Sequence, residues 1–252
     1  MLRGIQEILG TGFPIAGGSA GDDLAFTKTY QFYNDKIITD STVGALFGGS
    51  IAIGIGAKQG WKPLGKPRTI TGVRSNIIAT IDNQPAVSMY ESYFGTDIRD
   101  LEPGGIGRLT TRYPVGIAWH LPKSYLVRTA LRILDDGSLL CNAESPEGSE
   151  IHLMMATQNT TIEAAQEAAQ EAKEQLGTAK TLCAIVLESV GRQQLLGLKA
   201  ADALRSIQEI IGADTPLAGF YTYGEQFPLH HHAEETVCFQ NQSIVVILLG
   251  EP

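Results

Sequence analysis

The stretch "TPLAGFYTYGEQFPLHHHAEE" at 215–235 places Tyr221, Thr222, Glu225 and three consecutive histidines around Gly219 and Gly224. Such a set suits metal ligation, anion capture by backbone amides, or a pocket for a small polar molecule. Metal ligands have to converge on a point, whereas neighbours on an extended chain project to opposite faces. Of His230, His231, His232, Glu234, Glu235 and Cys238, only His230 and His232 share a face, with Glu234 as a possible third. His120 and His152 are isolated elsewhere. The histidines therefore read as an exposed polar loop, and neither a metal nor another cofactor is expected.

A second set lies near the start, in "GGSAGDD" at 17–23. Gly-rich loops can cradle phosphate with their amides. Here no Gly-Lys-Ser/Thr comes next, and Asp22 with Asp23 repels an anion. Ser19, in Gly17-Gly18-Ser19-Ala20-Gly21, has the spacing of a hydrolase nucleophile elbow, which requires a strand before it and a helix after it. The segment after Ser19 reads instead as a hairpin, so a hydrolase is the weaker reading. Two readings stay open: a tight turn that needs glycine, or a pocket wall offering Gly18, Ser19 and the Asp22 carboxylate. The same choice, strand-end packing or pocket lining, holds for Tyr221, Thr222 and Glu225. Arg192 opens a helix after an apolar strand. It either forks onto a ligand carboxylate or bonds loop carbonyls and pairs with Glu225 or Glu188. Asn241 either lines the same site or hydrogen-bonds a turn.

The elements that carry these groups are mostly strands, with three or four helices. "LRGIQEILG" reads as a short amphipathic helix with Leu2, Ile5, Ile8 and Leu9 on one side and Gly10 as its stop. "LAFTKTYQFYN" (24–34) alternates and turns back at "NDK" as a hairpin. "STVGALFGGSIAIGIGA" (41–57) reads as two strands around Gly48-Gly49, too short to span a bilayer, which takes about 20 apolar residues. "RTITGVRS" and "NIIATIDN" are strands, "DNQP" turns into a helix at 85–94, and 125–143 is a second hairpin. "EIHLMMAT" and "TLCAIVLES" are buried strands. Between them, 159–177 is the clearest helix, with Thr160 and Glu163 as a capping box and Gly177 as its stop. Its face of Ala165, Ala168, Ala169, Ala172 and Leu176 is small enough to lie close against a sheet. A further helix covers 194–211, and "ETVCFQ" and "SIVVILL" close the chain as strands.

"RGIQEILGTGFPIAG" (3–17) and "RSIQEIIGADTPLAG" (205–219) agree at nine of fifteen positions. Each reads as helix, Gly stop, Pro, strand and a Gly-containing loop ending in a carboxylate. This predicts an internal duplication with two pseudo-equivalent halves in an α+β fold of layered mixed and antiparallel sheets flanked by helices. The related loops "GSAGDD" and "YTYGEQ" are expected to meet at one site, with Arg192 nearby.

Several of these phrases resemble the FIST family, named for F-box and intracellular signal transduction proteins. "IAGGSAGDDLAFTKTYQFYNDKIITDSTVGALF" is similar to the closing part of the FIST N-terminal domain. "AIVLESVGRQQLLG", "PLAGFYTYGE", "QNQS" and the final apolar strand are similar to the C-terminal domain. The family often has Cys where this chain has Ser189, and its His-Asn-x-Thr ending reads Gln240, Asn241, Gln242, Ser243 here. The match enters the N-terminal domain part-way, so the chain reads as a trimmed or shortened member. The resemblance implies a partial FIST N-terminal domain at 1–84 and a FIST C-terminal domain at 85–252. It also implies a sensory module for a small molecule, such as an amino acid, or a signalling protein partner, without an established enzymatic activity.

Composition agrees with this. A net charge of −8 argues against nucleic acid. Charge steps near residue 84, with eight Lys/Arg against six Asp/Glu before it and eleven against twenty-one after it. Three separated cysteines suit a reducing compartment. No signal peptide is read, so the expected location is cytoplasmic, with no membrane partner. The sequence thus points to a non-catalytic module for a small polar, amino-acid-like ligand or a protein partner. The alternatives are a hydrolase-type or metal-dependent enzyme and a purely structural interaction domain.

Overall fold

The computed structural model describes residues 1–10, 12–96, 98, 105–119, 124–229 and 236–252. Their contacts separate two units: Met1–Gly60 with Gln158–Pro252, and Trp61–Thr157. The chain is α+β, with antiparallel and mixed sheets and flanking helices, as its strand runs and long helices imply.

In the first unit, alternation along the apolar strands builds a layered core. A four-stranded sheet runs in the order Leu217–Thr222, Lys180–Ser189, Ile244–Glu251, Ala52–Lys58. The first pair is parallel and the other two are antiparallel. Ala184, Val186, Ile244, Val246 and Leu248 turn to one face and pack on helices Gln158–Leu176 and Ala200–Ile211. Burying side chains such as Ile207 and Ile211 contributes about 1.5–3 kcal/mol each. Leu187 and Val245 turn to the other face and meet Phe227. Phe227 belongs to a three-stranded sheet of Gly17–Gly18, Glu225–Leu229 and Thr236–Gln240.

The alanine face of helix Gln158–Leu176 is fully buried, and the sheet answers it with Gly54 and Gly56. A Cβ at either glycine would stand 1.9 Å from the carbonyl oxygen of Ala172 or Ala168. That close approach lets helix side chains close the sheet edge. Gln175 Oε1 accepts from Ile55 N at 3.0 Å, and Glu171 Oε2 from Ala57 N at 3.1 Å. The opposite edge, Leu217–Thr222, has no such cover: residues 218–221 are exposed, Phe220 at 58%.

The second unit is an antiparallel sheet in the order Ala130–Ile133, Leu139–Cys141, Ile77–Ile81, Lys62–Arg74, Glu150–Met155, Val115–Ala118, Tyr125–Arg128. Gln84–Pro85 pairs beside Ile77–Ile81. Its two ends are consecutive in the chain, separated by Thr129 alone, so the sheet curls back toward itself. Ile70, Ile78, Val115, Ile117, Val127, Leu139, Ile151 and Leu153 form its buried interior. Helix Val87–Phe94 is tied by Tyr90, whose hydroxyl donates to Tyr113 O at 2.8 Å.

Some local expectations change. The 24–34 hairpin shrinks to Gln31–Tyr33 and Lys36–Ile38, turning at Asn34. Residues 26–28 cannot join it, because the Asp22 carboxylate takes their backbone amides. In addition, Asp23, Leu24 and Phe26 have positive φ. Of 41–57, only Ala52–Lys58 contributes a strand, after Gly49 at φ 91. The 125–133 arm breaks at Thr129 and serves both ends of the sheet. The 194–211 helix is three pieces, Val190–Leu196, Gly197–Lys199 and Ala200–Ile211, with Gly197 at φ 55. The long helix starts at Gln158, so Thr160 lies within it rather than capping it.

Both copies of the repeated phrase lie in the first unit. Helix Leu2–Leu9 stops at Gly10 (φ 87) and helix Ala200–Ile211 at Gly212 (φ 109), and a strand comes after each. The strands enter different sheets, and the helices differ in burial. Ala200–Ile211 buries Ala203, Ile207 and Ile211, whereas Leu2–Leu9 buries nothing and leaves Ile8 83% exposed. Among the described residues no helix is long and apolar enough to cross a membrane.

Candidate functional site

Strand pairing brings the two carboxylate-bearing loops together. Gly17 and Gly18 pair with Gln226 and Glu225, Ser19 N donates to Gly224 O at 2.8 Å, and Tyr223 N donates to Ser19 O at 3.0 Å. Gly18 has to be glycine here, since a Cβ would fall 2.3 Å from Thr222 Cγ2. Ser19 Oγ accepts from Gln226 Nε2 at 3.2 Å. No helix occurs within residues 20–30, so the strand–turn–helix context of a nucleophile elbow is absent at Ser19.

Asp22 organises its own loop. Oδ1 accepts from Phe26 N at 3.0 Å and Tyr223 Oη at 2.8 Å, and Oδ2 accepts from Thr27 N at 2.7 Å and Lys28 N at 3.0 Å. The Thr27 amide and then the Tyr223 hydroxyl hold its carboxyl down to about 2. Phe26 packs on the Tyr223 ring at 5.3 Å, which fastens the first loop to the second.

Behind the loops lies a buried charged cluster. Arg192 is fully buried: Nη1 donates to Gln59 O at 2.6 Å, Nη2 to Thr161 O at 2.8 Å, and Nε to Glu188 Oε1 at 3.2 Å. Of the two roles open to Arg192, this geometry is the one that bonds loop carbonyls and pairs with Glu188. Glu225 is also fully buried. Thr222 Oγ1 donates to Oε1 at 2.5 Å, and Ser243 donates to Oε2 from Oγ at 2.6 Å and from N at 3.1 Å. Burial pushes the Glu225 carboxyl up to about 7, against the pull of the Ser243 and Thr222 bonds and the Arg192 charge. Burial also raises Glu188, opposed by Arg192, and lowers Arg192. Tyr221 is the register partner of Glu188 on the parallel strand, and partial burial, then the Glu188 charge, raise its hydroxyl.

Asn241 Nδ2 donates to Tyr223 O at 3.1 Å, so this residue does hold a turn. Its Oδ1 and Glu188 Oε2 are buried acceptors with no donor among the described residues. The structure thus joins Gly18, Ser19, Asp22, Tyr221, Thr222, Glu225 and Asn241 through one set of contacts, with Arg192 behind them. Sequence reading missed Ser243 and gave Glu188 only a pairing role. The available signals were a lone carboxylate in the apolar run "TLCAIVLES" and its i,i+4 spacing to Arg192. His230, His231, His232, Glu234 and Glu235 lie outside the described residues, among which no group of three or more His, Cys, Asp or Glu is placed to hold a metal.

Family models match in tandem over this architecture: the FIST N domain over residues 1–84 and the FIST C domain over residues 86–228. The chain belongs to the FIST family. FIST domains are sensory domains of signal transduction. The pairing of Gly17–Gly18 with Glu225–Gln226 therefore joins a FIST N segment to a FIST C strand, while Asn241 and Ser243 lie beyond the matched range. The chain is also similar to the uncharacterized protein MJ1623 of Methanocaldococcus jannaschii. The two are 26% identical over 115 residues, which cover 39% of this chain and 22% of that protein.

Glu225 gives this FIST chain a testable pH dependence. Its carboxyl lies near 7 in the folded state against a usual 4.5, so between those values the folded state keeps a proton that the unfolded chain has released. Stability from this group is complete below about pH 4.5 and is lost as pH rises through about 7, by at most about 1.4 kcal/mol per pH unit. In Glu225→Gln this slope is expected to vanish, with the amide oxygen toward Ser243 and the NH2 toward Thr222. Urea unfolding of both proteins from pH 4 to 8 measures it. Parallel stability profiles would show that Glu225 holds no such proton.

Proposed function

We propose that this FIST module is a sensor that binds a small polar, amine-bearing ligand of amino-acid type, without chemical turnover. The site is the carboxyl end of the parallel strands Lys180–Ser189 and Leu217–Thr222. The observation that carries the reading is two buried acceptors without donors among the described residues, Glu188 Oε2 at the end of strand Lys180–Ser189 and Asn241 Oδ1 just after strand Thr236–Gln240. Buried acceptors without donors cost free energy, and an ammonium group offers three donors and a charge opposite to the carboxylates. Strand carboxyl ends are also where sheets with parallel strands receive ligands. Asp22 and Arg192, whose polar atoms are engaged by the protein, hold the frame. The buried hydroxyls of Thr222 and Ser243 are both committed to Glu225, which favours recognition over catalysis.

A thermal-shift screen of the amino acids and simple alkylamines tests this. A ligand at a hundred times its Kd stabilises by about 2.7 kcal/mol, a rise of roughly 5–10 °C for a chain of this size. Asn241→Ala is expected to abolish the rise. If no amine moves the midpoint, the ligand reading falls. The exposed edge strand Leu217–Thr222 then takes its place as the site where a signalling partner adds an extended strand.

A further inference from the structure

We infer that ligand capture at this site is coupled to proton release: docking of an amine against Glu188 and Asn241 breaks the O–H bond of the protonated Glu225 carboxyl and sends that proton to solvent. This rests on the amine-binding reading above. Glu188 pairs with the Arg192 guanidinium inside the protein, and Glu225, buried against the Thr222 and Ser243 hydroxyls, feels the same positive charge. With both acids ionised the cluster carries one excess negative charge that no other described charged group faces; the remaining titratable neighbour is the Tyr221 hydroxyl beside Glu188. A proton on Glu225 cancels that charge when the site is empty. An arriving ammonium cancels it instead, so the proton and the ligand compete for one charge balance.

The surroundings of Glu225 suit this exchange. Both of its side-chain hydrogen-bond partners, Thr222 and Ser243, are hydroxyls. A hydroxyl donates to a carboxylate and, after rotating, accepts from a carboxyl. Both protonation states are therefore satisfied without moving the backbone. Glu188 lacks this freedom, because Oε1 faces the donor-only guanidinium.

The sign of the coupling reports the ligand's charge. An ammonium group docked at the cluster releases a proton, an anionic group takes one up, and an uncharged group does neither. Isothermal titration of the full chain with L-alanine and with ethylammonium chloride, in phosphate and in Tris at pH 6, 7 and 8, reads it directly. The dependence of binding heat on buffer ionisation heat is expected to give about one proton released per ligand at pH 6. It falls to about half at pH 7 and little at pH 8, as the carboxyl titrates near 7. Glu225→Gln is expected to remove the buffer dependence at all three values. Binding whose heat is the same in both buffers at every pH overturns the coupling and leaves the ligand reading standing. The absence of binding by either probe overturns both.

Discussion

Arg192→Ala is expected to cost about 3–5 kcal/mol of folding stability in urea unfolding at neutral pH, the loss incurred when one partner of a buried ion pair is removed. The guanidinium is fully enclosed and spans three segments: Gln59, Thr161 and Glu188 all receive its donors. Truncation leaves two carbonyls without those bonds, an uncompensated carboxyl at Glu188, and a void the size of a large side chain. Arg192→Lys keeps the charge but cannot present a planar fork to two carbonyls, so its loss is intermediate. Adding Glu188→Ala to Arg192→Ala is expected to recover part of the deficit, because the orphaned acid is gone. A single variant within about 1 kcal/mol of the parent would remove Arg192 from the framework.

The second large effect belongs to two glycines with no chemistry. Gly54→Ala with Gly56→Ala is expected to lose about 2–6 kcal/mol, from about 1–3 kcal/mol for each overpacked site. The new methyl groups meet backbone oxygens of Ala172 and Ala168 at 1.9 Å rather than flexible side-chain ends, so the helix itself must withdraw. Withdrawal also pulls Gln175 and Glu171 from the edge amides of Ile55 and Ala57. That would open a second uncovered edge in the sheet, a site for unwanted pairing. Gly44→Ala is the control: nothing lies within 4 Å of its Cβ, and a change within about 0.5 kcal/mol is expected. A double variant that unfolds alongside this control would show that the helix and sheet are not held at contact distance.

Local pattern carried much of the architecture. The alanine spacing in 159–177 already dictated a helix in close contact with a sheet, since only small side chains permit that approach. The strands read at 181–189 and 243–249 came from apolar runs, and "GSAGDD" does meet "YTYGEQ", through pairing of Gly17–Gly18 with Glu225–Gln226. The same local logic failed where a side chain overruled the backbone. Asp22 captured the amides of residues 26–28 and cancelled a strand that alternation alone would write.

The amino-acid sequence by itself thus determined the α+β class and the family. Those depend on periodicity, turn residues and motif spacing, all properties of neighbours along the chain. Only the tertiary structure decided what the charged groups do. Arg192 reads equally well as a ligand clamp or a structural tie until the carbonyls of Gln59 and Thr161, 133 and 31 residues away, are seen to occupy it. Glu225 became a buried acid near 7, and Asp22 an exposed-loop acid near 2, although both sit just after a glycine loop. The physical reason is that desolvation and hydrogen bonding act over a few ångströms in space, and residue identity does not record which distant groups will stand within that range.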